Sequence, residues 1–184
     1  MSRISRPSGA SIFFMQNNDI IMIDPDQRQA AAEEYFLKGY NCCQSVLMAF
    51  RDVIGLDEDA TLKLSSGLGG GMARMREVCG TVTAMAVIAG FLLPACDPSN
   101  MDERTANYAL VQDLAGRFRE RKGSILCRDL LGLSAGVQAP APSERTAAYY
   151  KERPCTGIVG LAARIVAEYM VRNREEIAKK SYLC

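Results

Sequence analysis

The sequence predicts an all-α protein, a compact multi-helix bundle with a glycine-rich loop ahead of a buried central helix. Three observations carry that prediction. From residue 25 onward the apolar residues recur at helical spacing. Matched start and stop residues divide the chain into helix-length pieces. No two alternating segments after residue 24 invite pairing as strands. A chain of 184 residues is long enough for one domain with its own core. Residues 1–24 therefore read as an N-terminal arm, extended or poorly ordered, and 25–184 as a single helical domain that carries the cysteines.

Each element has a local reason. "PDQRQAAAEEYFLKG" opens on Pro25, has acids early and ends on Gly39, which supplies the left-handed residue that stops a helix. Asn41 suits the N-cap of "CCQSVLMAFRDVIG", where Val46, Leu47, Phe50, Val53 and Ile54 share a face. "DEDATLKLSSG" reads as a short third helix that runs into the glycine loop "GLGGGMAR". "CGTVTAMAVIAGFLLPA" is apolar nearly all round, so it is the central, buried helix. Ser99 or Asn100 caps "MDERTANYALVQDLAGRFRERKG", acidic at its start and basic at its end as the helix dipole favours. Gly123 ends that helix and Ser124 restarts "ILCRDLLG". A loop, "SAGVQAPAPSE", leads to a final helix, "TGIVGLAARIVAEYMVRNREEIAKK", after Pro154.

Composition excludes whole classes of chemistry. With no histidine the chain builds neither a Ser-His-Asp nor a Cys-His nucleophile, no HExxH zinc site and no histidine-ligated haem. A net charge of +1 steers it to neither nucleic acid nor an anionic membrane. No segment has the run of roughly 18 apolar residues that a membrane span needs. After Arg3 and Arg6 the apolar run is short and broken by Gln16, Asn17 and Asn18, unlike a signal peptide, so the expected compartment is the cytoplasm.

Seven cysteines are the unusual feature. Cys42, Cys79, Cys127 and Cys155 each fall near a predicted helix start, where the dipole and free N–H groups favour a thiolate. Their alternatives are buried structural thiols, reversible dithiol pairs, or four ligands of one metal centre: an iron–sulfur cluster, with zinc as the lesser choice. Cys43 points about 100° away from Cys42 around the helix and belongs to the core. Cys96, in the turn "LPACDP", reads as a spare or resolving thiol, and Cys184 as an exposed, frayed end.

A non-redox reading uses the glycine loop instead. Gly69, Gly70 and Gly71 would cradle an anion, with Arg74 and Arg76 as charge partners. The loop matches neither GxxxxGK[ST] nor GxGxxG, and no strand precedes it as those motifs require.

At Cys79 the chain resembles a known family, named C-GCAxxG-C-C after its cysteine pattern. The pieces that carry the resemblance are "YNCCQSVL", "GLGGGMARMREVCGTVTA", "GSILCRDLLG" and "RPCTGIVG", in that order over roughly residues 33–160. Thr81 stands where the family's CGAxxG block has Ala, and Ala84 where it has its second Gly. The resemblance implies a helical redox-active protein, an electron carrier or a component of an oxidoreductase, with Cys42, Cys79, Cys127 and Cys155 as its site. A similar domain occurs in split-Soret-type cytochromes beside an iron–sulfur centre, but without CxxCH or histidine the haem does not carry over. The implied partner is a redox protein or small-molecule acceptor, and the N-terminal arm offers a surface for a homodimer.

Overall fold

The computed structural model describes residues 23–134 and 137–180. The expectations for residues 1–22 and for Cys184 lie outside the described residues. Within them the fold is all-α as predicted, with one isolated antiparallel bridge, Val78 to Leu126, and no strand. The helices are α1 (Pro25–Leu37), α2 (Cys42–Ala49), α3 (Arg51–Ile54), α4 (Glu58–Ser65), α5 (Gly80–Leu92), α6 (Met101–Lys122), α7 (Cys127–Leu130), α8 (Ala147–Glu152), α9 (Cys155–Arg172) and α10 (Arg174–Lys180). No helix among the described residues is long and apolar enough to cross a membrane.

The predicted caps form. Asp24 accepts from the Asp26 amide with Pro25 in the first turn, and Gly39 turns the chain at φ +100°. Asn100, rather than Ser99, caps α6, and Gly123 ends it in the left-handed region. Helix α9 is the axis of the packing and lies against α1, α2, α5 and α6. Small residues on α9 let its neighbours approach: Ala162, Ala163 and Ala167 are fully buried, and a Cβ on Gly160 would run into the Glu33 side chain of α1. Phe36, Leu47, Met85, Ile88 and Leu114 fill the space around it with at most 2% exposure. Each such side chain contributes about 1.5–3 kcal/mol by leaving water.

Four boundaries differ from expectation. The helix predicted through Gly55 breaks at Phe50, where Arg28 donates to the Ala49 carbonyl and forks onto Asp52 at 2.6 and 2.5 Å. That carbonyl is held from outside instead of by the next turn. The last helix breaks at Asn173, whose side-chain amide donates back to the Tyr169 carbonyl at 2.8 Å. Ser124 turns the chain, accepting from the Leu126 amide and donating to Asp129, so α7 starts only at Cys127. Helix α8, unforeseen, is capped by Thr146.

Asn41 ties two elements at once. Its side-chain oxygen accepts from the amides of Cys43 and Gln44, Gln44 reciprocates on the Asn41 amide, and Asn41 Nδ2 donates to the carbonyls of Ser65 and Ser66. Asn41→Ala is therefore expected to cost about 2 kcal/mol, the upper range for a cap because the tertiary bonds go with it. Urea unfolding checks this, and a loss below about 0.5 kcal/mol would contradict it.

Candidate four-thiol site

Cys42, Cys79, Cys127 and Cys155 come from four separate stretches of chain and line one pocket of about 300 Å³. Each sits where the sequence places it, at a helix start: Cys42, Cys127 and Cys155 are the first residues of α2, α7 and α9, and Cys79 is the N-cap of α5. All four are free thiols. Cys43 is fully buried in the core as expected, and burial pushes its thiol up. Cys96, expected as a spare or resolving thiol, is disulfide-bonded.

The glycine run explains how the four stretches meet. Gly70, Gly71, Met72, Ala73 and Arg74 all have positive φ, as does Arg76. Left-handed backbone costs roughly 1–2 kcal/mol at each non-glycine residue. The turn is closed by the Ala73 amide on the Gly67 carbonyl (2.9 Å), Arg76 on Gly70 (3.3 Å) and Glu77 on Gly71 (3.2 Å). Strained backbone of this kind persists only where the surroundings hold it, and it concentrates at functional sites. The chain leaving the turn pairs with the segment before α7: the Cys79 amide donates to the Ile125 carbonyl at 2.8 Å, and the Cys127 amide to the Glu77 carbonyl at 2.7 Å. In this antiparallel register Cys79 lies opposite Ile125 and Cys127 opposite Glu77, so the two cysteines sit diagonally across the contact.

Glycine is required at two of these approaches. A Cβ on Gly80 would lie 2.6 Å from the Cys42 sulfur and from the Leu68 carbonyl oxygen. A Cβ on Gly71 would lie 2.7 Å from the Cys127 Cβ and under 3 Å from the Glu77 backbone. Of the residues expected to bind an anion, Gly69, Gly70 and Arg74 line the pocket. The backbone of Gly70 hydrogen-bonds the Cys42 sulfur. Arg74 donates to the Ala139 carbonyl, the Gln138 side chain and Ser143, which fastens the 137–143 loop beside the pocket. Gly71 packs behind Cys127 and does not line the pocket.

The four thiols differ electrostatically. Cys42 is lowered to about 6, chiefly by the Cys79 thiol directed at its sulfur, with backbone N–H groups of Gly70, Gly80 and Cys43 adding to the effect against burial. The other three are raised. Cys79 is pushed well up because it donates to Cys42 and is buried. Burial raises Cys127, partly offset by the Arg76 guanidinium 3.6 Å from its sulfur, and raises Cys155 to about 11. The expectation of four lowered thiols is thus corrected to one: burial outweighs the helix start except where several donors converge.

One consequence is measurable. A group whose folded value lies below its ordinary one stays ionised as pH falls until that folded value is reached. Cys42 is expected to be alkylated at a constant rate down to about pH 7, halving near 6, whereas an unperturbed thiol loses rate from about 8.5 downward. Peptide mapping of iodoacetamide-treated protein across the pH range reads this directly, and a midpoint above about 8 would sink the assignment.

Sequence reasoning missed Arg145 and Arg153, which line the pocket together with Tyr149. Arg153 stands in the segment "RPCTGIVG", but no motif marks Arg145. Arg145 stacks over Phe36 at 4.5 Å and over Tyr149 at 4.8 Å, and Arg153 lies 4.7 Å from the centre of the Tyr149 ring. These rings come from α1 and α8, so only the packing assembles the group.

Comparison with known proteins adds one match. The family model described as "Putative redox-active protein (C_GCAxxG_C_C)" matches residues 40–169, the span that holds all four pocket cysteines. No curated protein and no solved structure matches the chain.

Proposed function

Because the chain belongs to the C_GCAxxG_C_C family of redox-active proteins, we propose that it is a dithiol redox protein in which Cys42 is the nucleophile and Cys79 its resolving partner. What carries this reading is the placement of the pair: Cys42 and Cys79 line one pocket, and Gly80, next to Cys79, packs so close that a Cβ there would lie 2.6 Å from the Cys42 sulfur. The asymmetry of the two thiols, Cys42 lowered and the buried Cys79 raised, supports it. A thiolate attacks and a nearby protonated thiol supplies the proton and the second sulfur, which is what thiol–disulfide exchange requires.

The Cys42 thiolate attacks one sulfur of a disulfide acceptor, forming a mixed disulfide and expelling one thiolate. That thiolate takes the Cys79 proton. The Cys79 thiolate then attacks the Cys42 sulfur, closes a Cys42–Cys79 disulfide and releases the second thiolate to solvent. Two protein sulfurs are oxidised by two electrons and the acceptor is reduced by two. Oxidation of the reduced protein with one equivalent of 2-hydroxyethyl disulfide, followed by peptide mapping, tests the proposal. A Cys42–Cys79 bridge supports it, and bridges elsewhere or none overturn it.

An iron–sulfur centre is the second reading. Convergence of four thiols from separate stretches on a single pocket favours it. Against a single shared ion, among the described residues no three Cys, Asp or Glu side chains lie close enough to hold one, which weighs equally against zinc. No step above is routed through a metal. Iron and acid-labile sulfide in anaerobically prepared protein would establish the centre, and a colourless, iron-free protein after reconstitution would remove it.

A further inference from the structure

The pocket carries a charge that the thiols do not balance. Four guanidinium groups line it, from Arg74, Arg76, Arg145 and Arg153, and among the described residues no carboxylate does. None of the four forms an ion pair among the described residues. Their partners are neutral. Arg74 and Arg76 share the Gln138 side-chain oxygen, Arg145 donates to the Tyr40 carbonyl, and Arg153 rests on the Tyr149 ring. Arg76 is 4% exposed, and Nη1 of Arg145 is buried with no hydrogen-bond partner.

Buried charges are ordinarily paired, because desolvation without a counter-charge is costly. A single thiolate leaves this pocket with a surplus of positive charge. The rest of its wall is apolar, including Phe36, Leu131, Pro142 and Ile158. A small inorganic oxyanion would leave that wall without a partner, whereas an organic chain with anionic ends would satisfy both.

We propose that the acceptor is a small organic disulfide bearing carboxylates, held by Arg145 and Arg153 with its chain against the apolar wall so that its S–S bond reaches Cys42. This rests on the dithiol reading, and its chemistry is the same exchange: the carboxylate-bearing disulfide leaves as one thiol and one thiolate, and Cys42 and Cys79 are left as a disulfide. Arg145 and Arg153 act by binding and orienting, so they are positioning residues.

The test uses the full chain, reduced, and three disulfides of similar length: 3,3′-dithiodipropionate (anionic), 2-hydroxyethyl disulfide (neutral) and cystamine (cationic). Each single-turnover rate is divided by the rate of the same disulfide with free 2-mercaptoethanol, which removes leaving-group differences. The normalised rates are expected to fall in that order, with the anionic disulfide at least about tenfold ahead of the cationic one at low salt and the gap shrinking as salt rises. Arg145→Gln should narrow the gap about threefold or more. Arg153→Gln, at a residue that stacks on Tyr149 alone, gives the same readout if the first variant does not fold, and Arg117→Gln on α6 should leave the gap unchanged.

Suberate, a dicarboxylate of matching length with no sulfur, is titrated by calorimetry in parallel. Its binding, weakened in Arg153→Gln, supports the proposal without any redox step. Equal normalised rates, or no suberate binding, overturn the anionic acceptor while the Cys42–Cys79 bridge made by the neutral disulfide keeps the dithiol reading. Failure of all three disulfides to oxidise the pair overturns the dithiol reading and the acceptor with it.

Discussion

Cys42→Ser protein is expected to lose two-electron oxidation by disulfides, at least a hundredfold in rate, because a serine hydroxyl does not ionise near neutral pH and does not attack a disulfide. Cys79→Ser should behave differently. Cys42 still attacks, but nothing resolves the product, so the variant accumulates as a mixed disulfide with one acceptor half, visible as a mass increment. Its Cys42 should also lose the largest contribution to its thiolate character and react more slowly at neutral pH. Cys127→Ser and Cys155→Ser keep the Cys42–Cys79 pair and should retain the two-electron reaction. Single-turnover rates with quantification of free thiols distinguish the four variants. If Cys42→Ser oxidises like the parent, the pair is wrongly assigned.

The second large effect is on stability. Gly71→Ala is expected to cost about 3 kcal/mol, from left-handed φ at a non-glycine residue and from a Cβ forced onto the Glu77 backbone and Cys127. Backbone atoms cannot swing aside as a flexible side chain can. Gly67→Ala, four residues earlier, is the control: its Cβ meets open space and its φ is not in the left-handed region, so the change should lie within about 0.5 kcal/mol. Urea unfolding of the two variants compares them directly. Equal losses would mean that the glycine turn is not the strained support of the site described above.

Much of the fold was legible in the sequence because helix signals are local. Pro25, Gly39, Asn41, Asn100 and Gly123 act within one turn of chain, and each does what its chemistry predicts. The misread boundaries come from distant partners. Arg28 on α1 takes the Ala49 carbonyl, and the paired segments before Cys79 and Cys127 exist only because they lie side by side. The site was legible in the same measure. The helix-start positions of Cys42, Cys79, Cys127 and Cys155 follow from capping patterns, and the core role of Cys43 from helical geometry.

What the sequence determined by itself is therefore an all-α chain that sets four cysteines at helix starts and a glycine run next to one of them, since caps, stops and periodicity are properties of neighbouring residues. Only the tertiary structure decided that the four thiols share one pocket, that Cys42 alone of the four is lowered, and that four arginines and, among the described residues, no carboxylate surround them. Burial, donor convergence and charge surplus arise between residues far apart in the chain, and no local pattern encodes them.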